Sequence, residues 1–215
     1  MTSYAVAFAG ADVRLLAVAG TESPLWTEDV LVVTRNIAIY GYENKSGEKI
    51  GTLRRAAGSS RYELSDKAGT LCTVGLRADG RTVELTVEHG DRRIGSITAE
   101  SRRFGRNRGA LTVEGQVIGR FSAQTQIYPI TADDGEDIGL VTRSAGGDLI
   151  GDIHEAAERV REARRTGHLS GPSTTVGINS SRPSLRLTRM PVSESLTALM
   201  VLVPIAIDQA FHELD

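Results

Sequence analysis

The stretch LTALMVLVPIAI, residues 196–207, is followed at once by Asp208, Gln209, Ala210, Phe211, His212 and Glu213. Wound as a helix it is apolar on every face, and such a helix must be hidden from water. Its twelve residues are too few to span a bilayer, which takes about 20. Eight of its side chains are large and apolar. Burying each is worth roughly 1.5–3 kcal/mol, so exposing them all would cost on the order of 10–20 kcal/mol. The rest of the chain, mostly strand and turn, must therefore enclose it. Ser193 with Glu194 starts this helix, and Pro204 within it predicts a kink near Met200 that frees carbonyls in need of partners.

A repeat shows what does the enclosing. Its copies are IAIYGYENKSGEKIGTLRR (37–55), RYELSDKAGTLCTVGLR (61–77), VELTVEHGDRRIGSITAE (83–100), ALTVEGQVIGRFSA (110–123) and IYPITADDGEDIGLVTR (127–143). Each is an alternating strand, a polar turn ending in Gly, and a second strand opening with Ile-Gly; the 61–77 copy has Val74-Gly75 instead. The turn glycines Gly47, Gly69, Gly90, Gly115 and Gly135 supply the positive φ of a hairpin reversal. The in-strand glycines Gly51, Gly75, Gly95, Gly119 and Gly139 mark a bend, a bulge or a close backbone approach. Val83, Leu85 and Val87 fall on one face of their strand, with Thr86 and Glu88 on the other. The repeat spacing is too irregular for a propeller or solenoid. The fold expected is mainly β: an antiparallel closed barrel around the buried C-terminal helix.

Composition fits one domain over residues 1–215, since all-β barrels reach this length. With 40% hydrophobic and 24% charged residues, it has the make-up of a globular protein. A net charge of −2 and only 5% aromatics argue against a nucleic-acid partner or a base-stacking platform. Cys72, the one cysteine, excludes an internal disulfide framework and reads as a small buried hydrophobe in a strand. The opening MTSYAVAFAGADVRLLAVAG has no basic residue before Arg14 and carries Asp12, the opposite of a signal peptide. It reads as the first strands of a cytoplasmic protein with no transmembrane segment. Residues 144–184 break the pattern as an insertion. Within it Asp152 to Thr166 forms an extra surface helix, with Asp152 as N-cap and Glu155 three residues on, followed by a Gly/Ser/Pro-rich loop. Leu185 to Met190 then reads as the last strand.

A meander barrel closed on a C-terminal apolar helix resembles the tubby-like superfamily, and more closely its phospholipid scramblase and LURP-one-related branch. The resemblance rests on Asn36 to Leu53, on the recurrent turn-Gly and Ile-Gly signature, and on MPVSESLTALMVLVPIAIDQAFHE (190–213), where Asp208 and Phe211 take the matching places. It covers about residues 35–143 and 185–213. It implies the fold and a non-enzymatic, lipid-associated role. Calcium-dependent scrambling is not implied, because LRLTRMPVSE, the segment before the helix, carries one carboxylate.

Motifs for chemistry are missing. His89, His154, His168 and His212 show no ligand spacing, and no nucleophile elbow or phosphate loop occurs. The cluster Asp133, Asp134, Gly135, Glu136, Asp137 reads as a solvated turn, so no metal or cofactor is expected. Charge is the one asymmetry. From Lys49 to Arg120 there are 14 Lys/Arg against 8 Asp/Glu. Its peaks are Arg54-Arg55, Arg92-Arg93 and the loop Arg102, Arg103, Phe104, Arg106, Arg108. These are the candidate residues for binding an anionic membrane surface or a phosphoinositide headgroup, with Phe104 inserting. The protein would then sit peripherally on the membrane. The competing expectation is a soluble interaction or regulatory barrel whose 144–184 insertion contacts a protein partner.

Overall fold

The computed structural model describes residues 2–6, 23–27, 30–36, 39–103, 105–123, 127–133, 135, 137–144, 162, 165, 182–186 and 194–211. Its strands are β1 (Thr2–Val6), β2 (Val30–Asn36), β3 (Ile39–Asn44), β4 (Lys49–Arg55), β5 (Arg61–Ser65), β6 (Thr70–Asp79), β7 (Thr82–His89), β8 (Arg92–Glu100), β9 (Arg108–Val113), β10 (Gln116–Ser122), β11 (Ile127–Ala132), β12 (Asp137–Ser144) and β13 (Arg182–Arg186). All pair antiparallel in one sheet of order β1-β2-β13-β12-β11-β10-β9-β8-β7-β6-β5-β4-β3, and β2 pairs with β3 as well. From β3 to β12 every strand pairs with its sequence neighbour, so the sheet is a meander of hairpins. Helices α1 (Pro24–Thr27) and α2 (Glu194–Phe211) join it.

Alternation decides which face is buried. In β7, Val83, Leu85 and Val87 are buried, while Glu84, Thr86 and Glu88 are half-exposed. The apolar face packs on α2, which touches β7, β8, β9, β1 and α1. Ala198 through Asp208 are buried without a break. Pro204 lies inside a helix assigned continuously from Glu194 to Phe211. Next to the Met200 carbonyl that Pro204 deprives of a donor, the buried Tyr42 hydroxyl donates to the Val201 carbonyl at 3.3 Å. Tyr42 titrates well above a free tyrosine, because burial disfavours its phenolate. Burial likewise pushes the Cys72 thiol up to about 12, as befits a hydrophobe in a strand.

The Ile-Gly signature is a β-bulge. In β4 the register steps from Gly51 opposite Tyr42 to Lys49 opposite Glu43, leaving Ile50 extra. The same step leaves Ile94 extra in β8, Ile118 in β10 and Ile138 in β12. Each extra residue falls just after a hairpin turn, where it sharpens the local twist. The 61–77 copy corrects the sequence alignment of the repeat: its extra residue is Leu71, not Val74, and Cys72 stands where the others have Gly. All five turn glycines have φ between 56° and 143°.

Other boundaries move as well. The last strand is β13, a few residues earlier than Leu185–Met190, because it pairs through Arg182–Arg186 with Leu140–Ser144. Helix α1 has no periodic signal in four residues. Ser23 caps it through its hydroxyl to the Leu25 N–H at 3.3 Å, and Pro24 begins it. It sends Leu25 and Trp26 into the core. Of the expected surface helix at 152–166 only Glu162 and Arg165 are described; both are helical, and they pair at 2.6 Å. The rest of the 144–184 insertion after Ser144, up to Ser181, otherwise lies outside the described residues.

Close approach explains Gly95 in particular. A Cβ there would lie 2.5 Å from the Thr112 carbonyl oxygen and 3.0 Å from Leu199 Cδ1 of α2. At Gly75 the nearest atom, Thr86 Cβ, would be an ordinary 3.8 Å away. Gly95→Ala is therefore expected to cost about 1–3 kcal/mol through overpacking, and Gly75→Ala little or nothing. Urea denaturation of the two variants measures this; equal stability would show that the helix does not press on the β8 bulge.

Candidate functional site

Successive turns of a meander lie at alternate ends of its strands. One end carries the β6–β7 turn and the β8–β9 loop, where the Ser101 N–H donates to the Arg81 carbonyl at 2.8 Å. The stagger of the sheet sets the β4–β5 turn apart, since Arg54 lies level, through Glu63, Thr73 and Glu88, with Arg93. Together residues 77–82 and 100–108 hold six arginines, no lysine and two carboxylates, Asp79 and Glu100. The arginines are Arg77, Arg81, Arg102, Arg103, Arg106 and Arg108, and all six are exposed. The alternate turns carry residues 44–49, 65–70, 88–93, 113–116 and 132–137, with five Lys/Arg against seven Asp/Glu among the described residues. Strand alternation has sorted a nearly neutral chain into one basic end and a more acidic set of turns.

This sorting separates the residues expected to act together. Arg102, Arg103, Arg106 and Arg108 share the basic end, whereas Arg54 and Arg55 lie level with Arg93 and Gly95 across the staggered sheet. Arg92 and Arg93 open β8 at its other end, where Arg93 lies 3.6 Å from Glu84. A single flat surface meeting the first group does not meet these two. Phe104 lies outside the described residues.

Partners inside the basic end decide how much charge it presents. Glu100 accepts from Arg102 Nε at 3.1 Å and from Arg108 Nε at 2.8 Å. Those two hydrogen bonds, Arg108 first, hold its carboxyl below the usual carboxylate range. The loop is shaped by Asn107, whose side-chain oxygen accepts the Arg102 N–H at 2.9 Å. In the separate β4–β5 turn, Arg55 donates Nε–H to the Ser59 carbonyl at 2.9 Å, and Arg61 pairs at 2.7 Å with Glu88 near the end of β7. Exposed pairs of this kind are worth little and leave the guanidinium forks open to another anion. Ile39 is the one large hydrophobic residue strongly exposed among those described, at 45%. Its partner across the ladder is Arg54.

Asp208, fully buried near the C-terminus of α2, accepts from Arg35 Nη1 at 2.9 Å and from the Tyr40 hydroxyl at 2.7 Å. Gln209 Nε2 donates to the Tyr40 oxygen. Arg35 also lies over the Tyr40 ring, 5.9 Å from its centroid. One turn on, Phe211 stacks on Tyr128 with centroids 5.6 Å apart. Arg35 favours the ionised acid, but it is 37% exposed and shares its charge with water, whereas the carboxyl is cut off from it. Burial prevails, pushing the Asp208 pKa up to about 7. The sequence marks Asp208 and Phe211, but nothing local singles out Arg35 or Tyr128 as their partners.

Among the described residues no group of three His, Cys, Asp or Glu could hold a metal ion. None of the described helices is long and apolar enough to cross a membrane. Comparison with family models, with curated proteins and with solved structures finds no match for this chain.

The Asp208 cluster predicts a pH dependence with a defined sign. Unfolded, the carboxyl ionises near 3.8; folded, it stays protonated to about 7. Between those values the folded state binds more protons, so stability falls as pH rises. The contribution is complete below the unfolded value and lost above the folded one. Its size is at most about 4 kcal/mol at roughly 1.36 kcal/mol per unit. Asp208→Asn, which still accepts from Tyr40, should abolish this part of the slope. Melting the two proteins across this range tests it, and parallel curves would sink the assignment.

Proposed function

We propose that this chain is a non-enzymatic barrel module of the tubby-like, scramblase and LURP-one-related type, which binds anionic phospholipid surfaces through its arginine-lined end. The barrel is supported by the pairing of β2 with both β3 and β13, and by a helix buried on all sides of its apolar stretch. The observation that carries the binding reading is six exposed arginines against two carboxylates in the β6–β7 turn and the β8–β9 loop, which lie side by side. Basic residues near an anionic bilayer contribute about 1 kcal/mol each. Guanidinium forks accommodate phosphate oxygens bidentately. The outward strand residues, such as Glu84, Thr86 and Thr98, are polar, which favours contact by one end over contact by the barrel wall.

Co-sedimentation with vesicles tests the reading. Binding is expected to anionic vesicles, not to neutral ones, and to weaken as salt rises. The combined substitution Arg102→Gln, Arg103→Gln and Arg106→Gln should weaken it by about 3 kcal/mol, roughly a hundredfold. Arg92→Gln with Arg93→Gln, at the opposite end, should leave it unchanged. Equal losses in the two variants, or no sedimentation of the parent protein at low salt, would overturn the proposal.

A further inference from the structure

The outer face of the sheet is hollowed between β8 and β11, and the cause lies in the ladder. Strands β10 and β11 pair at three positions only, Gly119 with Ala132, Arg120 with Thr131 and Phe121 with Ile130. The ladder stops where Pro129 arrives, a residue with no N–H to donate. The resulting cavity of about 520 Å³ is within the range of small-molecule sites. Ala110 leaves its centre free of a bulky side chain, with Pro129 on one flank and Thr98 and Ser122 adding hydroxyls.

Two cations flank the hollow. Arg120 pairs with Ala110 across the β9–β10 ladder, and Arg108 is two residues from Ala110 on the same face. Such diagonal neighbours have Cβ atoms roughly 7–8 Å apart, a span that one small anionic group can bridge. Arg108 gives Nε–H to Glu100 and, among the described residues, makes no hydrogen bond through its Nη groups. Among the described residues, the Arg120 side chain makes only a loose ion pair with Asp133, at 3.5 Å between exposed groups. Glu100 also lines the hollow, held ionised by Arg108 and Arg102. It repels a second negative charge, so a polyanion is disfavoured where a monoanion fits.

We infer that this hollow is a binding site for an organic monoanion with an apolar body, its carboxylate or sulfonate between Arg108 and Arg120 and its body over Ala110 and Pro129. The site lies on the wall of the sheet and does not depend on the membrane reading, although Arg108 belongs to both regions.

The test titrates the folded protein with anilinonaphthalene sulfonate, followed by fluorescence, with circular dichroism to confirm that each variant is folded. Arg120→Gln should weaken binding about tenfold or more, as expected for loss of one charge-assisted contact. Ala110→Phe should remove it by filling the hollow, and Arg92→Gln should leave it unchanged. Decanoate or naphthoate should displace the dye, and which one does so distinguishes an acyl from an aryl ligand. No saturable binding by the parent protein, equal binding by folded Arg120→Gln, or displacement by inorganic phosphate as effective as by either carboxylate would overturn the inference. Sedimentation of Ala110→Phe with anionic vesicles should match the parent, so failure of one site is visible apart from failure of the other.

Discussion

Everything in this fold answers to one constraint: a helix with no polar face must be kept from water on every side. A surface helix solves half of that problem by itself, since its polar face can be left out. Helix α2 cannot, because Ala198 through Ile207 offer water nothing, and their burial is worth on the order of 10–20 kcal/mol. A flat sheet would cover one side of it. A strongly coiled antiparallel sheet can cover several, and the bulges are what make this meander coil. The extra residue after the turn, at Ile50, Leu71, Ile94, Ile118 and Ile138, bends each return strand at the same stage of its hairpin. The helix and the repeated motif are thus two halves of a single solution.

That coupling explains what could be read from the chain and what could not. The turns were legible because a positive φ leaves few residues to choose from. The apolar face of β7 was legible because period-two alternation is strict where one face is buried. The bulges were visible as in-strand glycines, yet the 61–77 copy was misaligned. Val74-Gly75 mimics Ile-Gly in letters, whereas geometry asks only for an extra residue just after the turn, and Leu71 with Cys72 supplies it. Short or long-range features escaped. Helix α1 is four residues long and is held by where Leu25 and Trp26 land, against α2 and β4. The Asp208 cluster joins residues 168 and more positions apart, which no local pattern encodes.

Charge had a similar fate. The sequence shows an excess of arginine between Lys49 and Arg120, but a linear count treats Arg92-Arg93 and Arg102-Arg103 as neighbours. Antiparallel hairpins send adjacent turns to opposite ends, so charge clusters one strand apart are separated by a strand length. In β8 that strand is nine residues long, about 30 Å at roughly 3.4 Å per residue. This exceeds the Debye length of about 8 Å at physiological salt, so the two clusters act independently on any small partner. The basic end emerges only once the β6–β7 turn and the β8–β9 loop are set side by side.

The core meets an exposed cation at the end of α2, where Asp208 accepts from Arg35. A helix C-terminus carries the negative end of its dipole, which disfavours a carboxylate there and favours nearby cations. Asp208 stands against that rule, and its buried carboxyl is the more easily kept protonated for it. Arg35 beside it follows the rule. The choice of arginine over lysine at the basic end has its own physical basis. A guanidinium can give one N–H to a neighbour within the protein, as Arg102 and Arg108 do to Glu100 and Arg55 does to Ser59, and still present donors outward. A lysine ammonium held in the same way is a point charge without that second, planar set of donors. The internal pairs therefore orient the arginines without removing them from use. Because the burial constraint acts only on the inward face, the outward turns were free to take up this charge at little cost to the fold.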